Sequence, residues 1–369
     1  MRVLLAIPSI RSPVGEQFID LALHLHDKGH AVLLITRTDA AGVIGSRLDG
    51  RIEIARWPAG GGLTRPAIFL TRSIRTWKPD CVVSQFGFVN FAVPLAWILR
   101  VPRRVAWFRT LVEQSAIDRG GRPIGWRMRL WRRRLVYRLA TDVVSVSRIG
   151  SRELTHVFGV PQSKCFVVPN GLVDPGMRIY ADAPPLFVAV GRLVPSKGHE
   201  ILFDAFAELR DVDPTAKLVL IGEGPLISDL RRKVETLRLA AAVSFVGKIP
   251  HDEVIDHLRR AIALVHPSRI DNCPAVVQEA MALGVPVVAT HAGGVTELVE
   301  ADRSALLTSP EDPRELAQAL RRVLTDEALR TRLTAAARRD FEERFERSRF
   351  VHRTADFLLS SAPLHAEPG

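Results

Sequence analysis

Short apolar segments alternate with helical stretches along nearly the whole chain. In the first half, the segments with the length and composition of buried strands are residues 2–7, 31–36, 81–84, 104–108 and 143–146. In the second half they are residues 186–190, 217–221, 243–246, 263–265, 285–289 and 305–307. Regular alternation of strand and helix predicts parallel sheets covered by helices on both faces. The sequence therefore predicts an α/β protein with doubly wound, Rossmann-like sheets, which bind ligands at the carboxyl ends of their strands.

The 369 residues are enough for two domains, each with its own core. Pro, Gly and Asp are concentrated in residues 170–185, which is a composition typical of linkers. We therefore expect an N-terminal domain over residues 1–172, a linker over 173–185 and a C-terminal domain over 186–340. Two such domains should face each other across a ligand-binding cleft.

Helices are expected to close the chain. Asp312 is placed to cap a helix over residues 313–325, and a second helix is expected over 327–339. Residues 341–362 carry apolar side chains at helical spacing, which predicts one more helix.

Composition and hydropathy favour a soluble protein of a reducing compartment, and we expect it to be cytoplasmic. Cys81, Cys165 and Cys273 lack metal-ligand spacing, so we expect neither a disulfide framework nor a zinc site. The apolar run over residues 3–7 is short for a signal peptide. The longest apolar stretch, residues 86–99, is interrupted and falls short of the roughly 20 residues of a spanning helix.

The formal net charge of +11 indicates an anionic partner: nucleic acid, an anionic membrane or a phosphorylated substrate. Charge alone does not choose among these three. A basic stripe with interleaved aromatic residues across a sheet is missing from the sequence pattern, which argues against nucleic acid.

The segment over residues 267–290, PSRIDNCPAVVQEAMALGVPVVAT, has a ligand-binding pattern. Pro274 presets the backbone of a first helical turn, and Gly284 ends the helix before a buried strand. Asp271 then precedes the helix, and Glu279 lies more than one turn inside it.

The free amides of Ala275 and Val276 should point out of the positive end of this helix. A phosphate can rest on those amides, with a carboxylate on either side to bind hydroxyl groups. Nucleotide sugars have that arrangement of groups.

This segment resembles the E-x7-E region of retaining glycosyltransferase family 4, whose members have the two-domain GT-B architecture. Asp271 stands where that family usually has its first Glu, and Glu279 matches the second. The resemblance covers nearly the whole chain and is more specific in the second half. It implies that the C-terminal domain binds a nucleotide-diphosphate sugar, with Asp271 on the sugar and Glu279 on the ribose. It also implies that the last helix crosses back onto the first domain.

A second element, VAVGRLVPSKGHE, follows a buried strand and contains Gly191, Arg192 and Lys197. The glycine lets the backbone approach a ligand, and the two cations can neutralise a pyrophosphate from two sides. It resembles the family's G-R-x-x-x-x-K-G element, whose Arg and Lys hold the donor diphosphate. The alternative is a pair of ordinary exposed basic residues. The predicted catalytic residues are Arg192, Lys197, Asp271 and Glu279.

Two further strand-to-loop turns match the family by order and spacing. One contains Glu223, and the resemblance implies that the other, with Lys248 and Ile249, borders the nucleobase. In the first domain the family has a Gly-rich loop over the donor phosphate, and Gly15 alone is carried over to it. The predicted donor-binding residues are Gly15, Gly191, Glu223, Lys248, Ile249, Ala275 and Val276.

Arg109, in RRVAWFRT, departs from the family, because several relatives have a His at this place. Arginine stays protonated and cannot act as a general base. Arg109 either binds an anionic part of the donor or acceptor, which makes it a candidate on the acceptor side, or is structural. The family's front-face retaining route remains open, because the leaving phosphate oxygen can accept the acceptor's proton.

The segment over residues 126–139, WRMRLWRRRLVYRL, is expected to be a helix with two apolar stripes. The stripe expected to pack inward consists of Met128, Trp131, Leu135 and Leu139. The stripe expected to face outward between arginine flanks consists of Trp126, Leu130 and Tyr137. An outward stripe of this kind suits an anionic membrane surface. The alternative is a solvated arginine-rich helix whose second stripe packs against another part of the same domain.

The sequence therefore predicts a retaining, metal-independent glycosyltransferase without a cofactor. Its donor is a nucleotide-diphosphate sugar, and its acceptor is a glycan or a lipid-linked sugar in cell-surface polysaccharide biosynthesis. We expect it to associate peripherally with the inner face of the membrane. The alternatives are a nucleotide-sugar epimerase of the same architecture and a non-catalytic subunit that resembles a glycosyltransferase.

Overall fold

The computed structural model describes residues 1–10, 12–37, 50–58, 62–121, 124–178 and 185–360. The chain divides into two compact units. The first unit comprises residues 1–109, 123–172 and 347–369, and the second comprises residues 110–122 and 173–346. Residues 110–122 thus group with the second unit, although the sequence placed them in the first domain. Residues 179–184 of the predicted linker and 361–362 of the predicted last helix lie outside the described residues.

Parallel sheets form the centre of both units. The strands, numbered in chain order, are β1 (Arg2–Ala6), β2 (Ala31–Thr36), β3 (Glu53–Arg56), β4 (Cys81–Gln85), β5 (Arg103–Phe108), β6 (Asp142–Ser145), β7 (Cys165–Val167), β8 (Leu186–Val190), β9 (Lys217–Ile221), β10 (Val243–Gly247), β11 (Ala263–His266), β12 (Val287–Thr290) and β13 (Leu306–Thr308). In the described residues the strand order is β3-β2-β1-β4-β5-β6-β7 in the first unit and β10-β9-β8-β11-β12-β13 in the second.

Helices follow the strands and cover the sheets. They are α1 (Pro13–Asp27), α2 (Thr64–Trp77), α3 (Val89–Ile98), α4 (Val112–Ile117), α5 (Trp126–Leu139), α6 (Arg148–His156), α7 (His199–Val212), α8 (Ile227–Thr236), α9 (His251–Arg260), α10 (Ala275–Leu283), α11 (Val295–Leu298), α12 (Pro313–Thr325), α13 (Glu327–Arg344) and α14 (Arg347–Leu359). The doubly wound parallel architecture predicted from the sequence is confirmed.

The core of each unit lies between its sheet and these helices. In the first sheet, Val3 of β1 lies opposite Val32 on β2 and Cys81 on β4, and all three are buried. In the second sheet, Phe187 of β8 packs edge-on against Phe206 of α7. Near-continuous apolar strands are what a sheet buried on both faces requires.

All the strands predicted from the sequence are present, and most strand ends lie within one residue of their predicted positions. The strand predicted over residues 285–289 begins at Val287, because Pro286 has no N–H to donate to the ladder. Strands β3 and β7 were not predicted. The first of them, EIAR, is only half apolar, and the second has three residues, so neither carries a readable pattern.

The predicted break between the last two helices was wrong. The helix starting at Glu327 continues to Arg344, past the predicted end at residue 339, because Phe341 on its inner face is fully buried. The last helix therefore starts at Arg347. The helix before these two was predicted correctly, and Asp312 caps it by accepting bonds from two backbone amides.

The last helix, α14, belongs to the first unit, where it packs against α1. Arg347 is buried and pairs with Glu16 at 3.2 Å and with Asp20 at 3.0 Å. Phe350 packs edge-on against Phe18, with ring centroids 5.4 Å apart. The buried aromatic contact and the ion pairs of Arg347 together fix α14 against α1.

Candidate active site

The predicted diphosphate turn lies at the carboxyl end of β8 and rests on the turn after β9. A Cβ atom on Gly222, whose φ is +141°, would lie 1.9 Å from the carbonyl oxygen of Gly191. A Cβ on Gly224 would lie 2.3 Å from the carbonyl oxygen of Leu193. Only glycine fits such close backbone approaches. The Gly-Glu-Gly sequence is thus a support for the Gly191 turn, and Glu223 between the two glycines is exposed.

A third turn joins these two. The amide of Gly222 donates to the carbonyl of Gly247 at 2.8 Å, at the carboxyl end of β10. Lys248 follows as an exposed residue and Ile249 as a half-buried one. The structure therefore places the predicted nucleobase loop beside the two turns of the predicted phosphate site, at the carboxyl ends of the strands of the second sheet.

An ion pair between Lys197 and Asp271 lies at the centre of this edge. The Lys197 ammonium donates to Oδ2 of Asp271, and the two side chains are only 12% and 10% exposed. His266, which ends β11, places Nε2 at 3.1 Å from the same oxygen, and Ser268 Oγ lies 3.0 Å from that nitrogen. The structure thus brings two of the predicted catalytic residues into direct contact.

The backbone around Asp271 holds its carboxylate in place. Its Oδ1 accepts a bond from the Asn272 amide at 2.9 Å, and its carbonyl accepts one from Gly294 at 2.8 Å. Gly293 has φ +60°, and a Cβ there would lie 2.3 Å from the Asp271 carbonyl. The Gly293-Gly294 pair is therefore the turn that supports Asp271.

The charge state of this cluster follows from burial and pairing. Burial alone would raise the pKa of Asp271, but Lys197 and His266 outweigh it and hold that pKa below its usual range. Burial lowers the pKa of His266. Burial also lowers the pKa of His199 to about 3, and its Nε2 lies 3.3 Å from the Arg192 carbonyl. At neutral pH the cluster therefore contains an ionised carboxylate beside neutral imidazoles.

His266 and His199 were not predicted as site residues. His266 stands at the end of an apolar strand in LVHPS, which is the one sequence signal that points to it. Within the described ranges, no group of three or more His, Cys, Asp or Glu side chains is arranged to hold a metal ion.

Glu279 lies in α10 and is also buried. Burial raises its pKa from an ordinary 4.5 to about 7, and Nε2 of His251 lies 3.9 Å from its Oε1. The helix begins at Ala275. Pro274 is therefore its N-cap, one position outside the first turn in which the sequence placed it. The amides of Ala275 and Val276 precede the first intrahelical donor, as an anion site at a helix start requires.

Arg192 has a partner that the sequence did not predict. Its guanidinium donates from Nη2 to Oδ2 of Asp118 at 3.2 Å. Oδ1 of Asp118 accepts a bond from the Ser196 amide at 3.1 Å. Asp118 lies 74 positions before Arg192, and no local pattern connects the two residues.

Gly15 and Arg109, the two candidates in the first unit, both have structural contacts. A Cβ on Gly15 would lie 2.0 Å from the Ser9 carbonyl, so glycine lets the preceding loop fold over the start of α1. Arg109 donates to Gln85 Oε1 and to Asn170 Oδ1, at 2.6 Å each. These contacts agree with a structural role for Arg109, and its binding of an anion stays a prediction.

The predicted faces of helix α5 were wrong. Trp126 and Tyr137, expected outside, are buried, and Tyr137 packs against Phe158 with ring centroids 5.1 Å apart. Met128 and Trp131, expected inside, are 67% and 61% exposed. Periodicity identifies both stripes, but only tertiary packing selects the one that faces the core.

The exposed ridge of α5 consists of Met128, Trp131 and Leu135, and the exposed Ile124 lies just before the helix. A groove of about 560 Å³ runs beside it, lined by Arg127, Met128, Leu130, Trp131, Arg134 and Val157. Apolar side chains exposed side by side make this ridge a candidate interaction surface. Among the described helices, none has both the length and the apolar character needed to cross a bilayer.

Comparison with known proteins supports a common ancestry over both halves of the chain. A family model described as "Glycosyltransferase Family 4" matches residues 14–174, and one described as "Glycosyl transferases group 1" matches residues 180–340. A glycogen synthase of Mycobacterium tuberculosis is 29% identical over 306 residues, covering 80% of this chain and 72% of that protein.

Two further proteins are similar over most of their length. A GDP-mannose-dependent alpha-(1-6)-phosphatidylinositol monomannoside mannosyltransferase of Mycobacterium tuberculosis is 28% identical over 342 residues, covering 87% of this chain and 85% of that protein. The structure of Anabaena HepE in complex with UDP and glucose superposes with a TM-score of 0.78 at 21% identity, covering 98% of this chain and all of that one.

Replacing Glu279 with Gln should make stability less dependent on pH. The folded-state pKa of Glu279 is raised, so its contribution to stability is complete below about pH 4.5 and is lost as the pH rises to about 7. The variant cannot ionise at this position. Relative to wild type, its free energy of unfolding should therefore increase by about 2–3 kcal/mol from about pH 5 to about pH 8.

Urea titration of both proteins across this pH range measures the difference. Titratable groups remote from Glu279 contribute equally to both proteins and cancel in this difference. Glu235→Gln removes the same charge at an exposed position and is the control. An equal pH-dependent gain in that control would assign the effect to net charge and would contradict burial of Glu279 as its cause.

Proposed function

Because the chain belongs to the group 1 glycosyltransferases and has the GT-B fold, we propose that it transfers a sugar from a nucleotide-diphosphate donor to a glycan or lipid-linked acceptor with retention of configuration. The observation that carries this proposal is the buried pair of Lys197 and Asp271. It lies at the carboxyl edge of the second sheet, beside Arg192 and Gly191.

In this proposal the donor's diphosphate is bound by Arg192 and Lys197 and by the first amides of α10. A diphosphate needs concentrated positive charge at short range, and the two side chains and a helix start supply it without a metal ion. Lys197 is almost buried, so its charge acts in a medium of low effective dielectric and is worth more than it would be in water. It then stabilises the charge that develops on the leaving phosphate.

Glu279 binds the ribose hydroxyls, and Asp271 lies toward the sugar. Hydroxyl donors stabilise the ionised form of Glu279, so nucleotide binding should lower its raised pKa. Asp271 already accepts bonds from Lys197 and the Asn272 amide. The first role of Asp271 is therefore to hold the Lys197 ammonium in position. The same carboxylate makes the contact with the sugar.

The chemistry of Asp271 and Arg109 favours a retaining course. An inverting transfer needs a general base at the acceptor hydroxyl. Asp271 has a low pKa and is paired with Lys197, and Arg109 remains a cation. The donor's own phosphate oxygen is then the base, on the face from which the nucleotide leaves.

The relatives support a nucleoside diphosphate as the leaving group. HepE was solved with UDP, and the mycobacterial relative is named for its dependence on GDP-mannose. That relative is also named for a phosphatidylinositol monomannoside acceptor, which is a lipid. We propose a related class of acceptor here, used in cell-surface polysaccharide synthesis.

The exposed ridge of α5 supports peripheral binding to an anionic membrane from the cytoplasmic side. Trp131 and Met128 supply an apolar surface, with Arg129 and Arg132 exposed beside it. The net charge of +11 adds a long-range attraction. Each arginine near an anionic surface contributes about 1 kcal/mol, so several together support reversible binding.

Lys197→Ala should lower turnover on the order of a hundredfold, since one preorganised group facing a developing charge is worth about 3 kcal/mol. The donor is first identified by thermal stabilisation of the wild-type protein with a panel of nucleotide sugars, and kcat is then measured with it. Lys233→Ala, which removes a half-buried lysine paired with Asp204, is the matched control.

Loss of Lys197 also leaves a buried carboxylate unpaired, so the folded fraction is measured in parallel. Arg192→Ala tests the same site at an exposed residue and should also lower kcat. Near-normal turnover in both folded variants, or no stabilisation of wild type by any nucleotide sugar, would refute the proposed donor site.

A double change, Met128→Ser with Trp131→Ser, should abolish sedimentation with anionic vesicles, because it removes the apolar part of the ridge. The measurement compares phosphatidylcholine vesicles with and without phosphatidylglycerol, at low and high salt. Salt should weaken wild-type binding, since an ionic strength of ~0.1 M screens the attraction between the arginines and the anionic lipids beyond roughly 10 Å.

Trp97→Ser is the matched control, since Trp97 is an exposed tryptophan on α3 of the same unit. Changing Arg129 and Arg132 to Glu should also prevent binding. Wild-type sedimentation that does not depend on lipid charge would show that the ridge is not a membrane surface. Sedimentation of the α5 variants at the wild-type level would show the same.

A further inference from the structure

The carboxylate of Asp118 joins two parts of the diphosphate turn. It comes from the segment over residues 110–122, whose helix α4 packs against the 3-10 turn Pro195–Lys197. One oxygen accepts a bond from the Arg192 guanidinium at 3.2 Å, and the other accepts one from the Ser196 amide at 3.1 Å. Both oxygens are therefore bonded to the element predicted to bind the donor.

The two partners differ in exposure. The side chain of Asp118 is 13% exposed, whereas that of Arg192 is 63% exposed. Asp118 is thus fixed by its surroundings, and it fixes Arg192 in turn. An exposed arginine that is not held loses rotamer entropy when a ligand immobilises it.

We propose that Asp118 is a positioning residue that presets Arg192 for the donor's β-phosphate, an inference that rests on the proposed function. A guanidinium carries five N–H donors, and Asp118 accepts from the Nη2 nitrogen. The exposed remainder of the guanidinium is accessible to phosphate oxygens. A carboxylate that accepts two bonds also keeps the Ser196 amide and the start of the Pro195–Lys197 turn in one conformation.

The like charge of Asp118 opposes this effect, because it lies near a dianionic ligand. Its pairing with Arg192 and the Ser196 amide neutralises much of that repulsion. Positioning and repulsion predict opposite changes in affinity when the charge is removed. The sign of the change therefore distinguishes the proposal from an autoinhibitory contact.

Calorimetric titration with UDP, UMP, GDP and GMP provides the readout. The ratio of the monophosphate Kd to the diphosphate Kd isolates the contribution of the β-phosphate. Asp118→Asn keeps the shape of the side chain and removes its charge. We expect it to weaken diphosphate binding about three- to tenfold and to change monophosphate binding less than twofold.

A double-mutant cycle with Arg192 tests the route of the effect. In an Arg192→Ala background, Asp118→Asn should cause no further loss of the ratio, because Asp118 acts through that guanidinium. Asp118→Glu keeps a carboxylate on the same segment and should give an intermediate ratio. Asp302→Asn, which removes a carboxylate paired with Arg322 in the same unit, is the matched control and should leave the ratio unchanged.

Several outcomes would overturn the inference. They are an unchanged ratio in Asp118→Asn, an equal loss of monophosphate and diphosphate affinity, tighter diphosphate binding, and additive effects in the cycle. If Asp118→Asn does not fold, Asp118→Glu is compared with Arg192→Ala instead. A ratio of monophosphate Kd to diphosphate Kd that is as low in Asp118→Glu as in Arg192→Ala would then contradict the proposal. Failure of wild type to bind any nucleoside diphosphate, with ADP, CDP and dTDP tested beside UDP and GDP, would instead refute the proposed function itself.

Discussion

The buried ion pair between Lys197 and Asp271 is the interaction on which the site depends. Removing two charges from water is costly, and such a pair is stable only when further hydrogen bonds satisfy its atoms. Asp271 meets this requirement through His266 and the amide of Asn272. Gly293 is needed because a side chain at this position would clash with the carbonyl of Asp271 and displace the carboxylate. The glycine turns of the second unit thus serve to hold charges in place.

This arrangement also limits the chemistry that the site can perform. A carboxylate whose pKa is held low by Lys197 and His266 is a weak base. Glu279, whose pKa burial raises to about 7, is suited to exchange hydrogen bonds with hydroxyl groups. Under the proposed function, the site supplies fixed positive charge to a leaving diphosphate, and the substrate supplies the base. We propose that the catalytic contribution of the protein is mainly electrostatic preorganisation.

The sequence predicted eleven of the thirteen strands that the structure describes, because apolar runs are local signals. The proposed diphosphate motif was also readable, since the spacing of Arg192, Lys197 and Glu279 is local. The sequence did not predict Asp118, whose partner Arg192 is 74 positions away and is met only after folding. For helix α5 the pattern revealed two apolar stripes but assigned them to the wrong faces. Burial of the Tyr137 ring against Phe158 is a tertiary contact that the helical period does not contain.

The anomeric configuration of the first product tests the central claim most directly. Proton NMR of the reaction with an α-linked nucleotide-sugar donor reports the configuration before mutarotation or further transfer. A site that provides cations to the leaving diphosphate, with the donor's own phosphate oxygen as the base, predicts an α-linked product. A β-linked product would require a base on the opposite face of the sugar, and it would contradict the roles assigned to Lys197, Asp271 and Arg192.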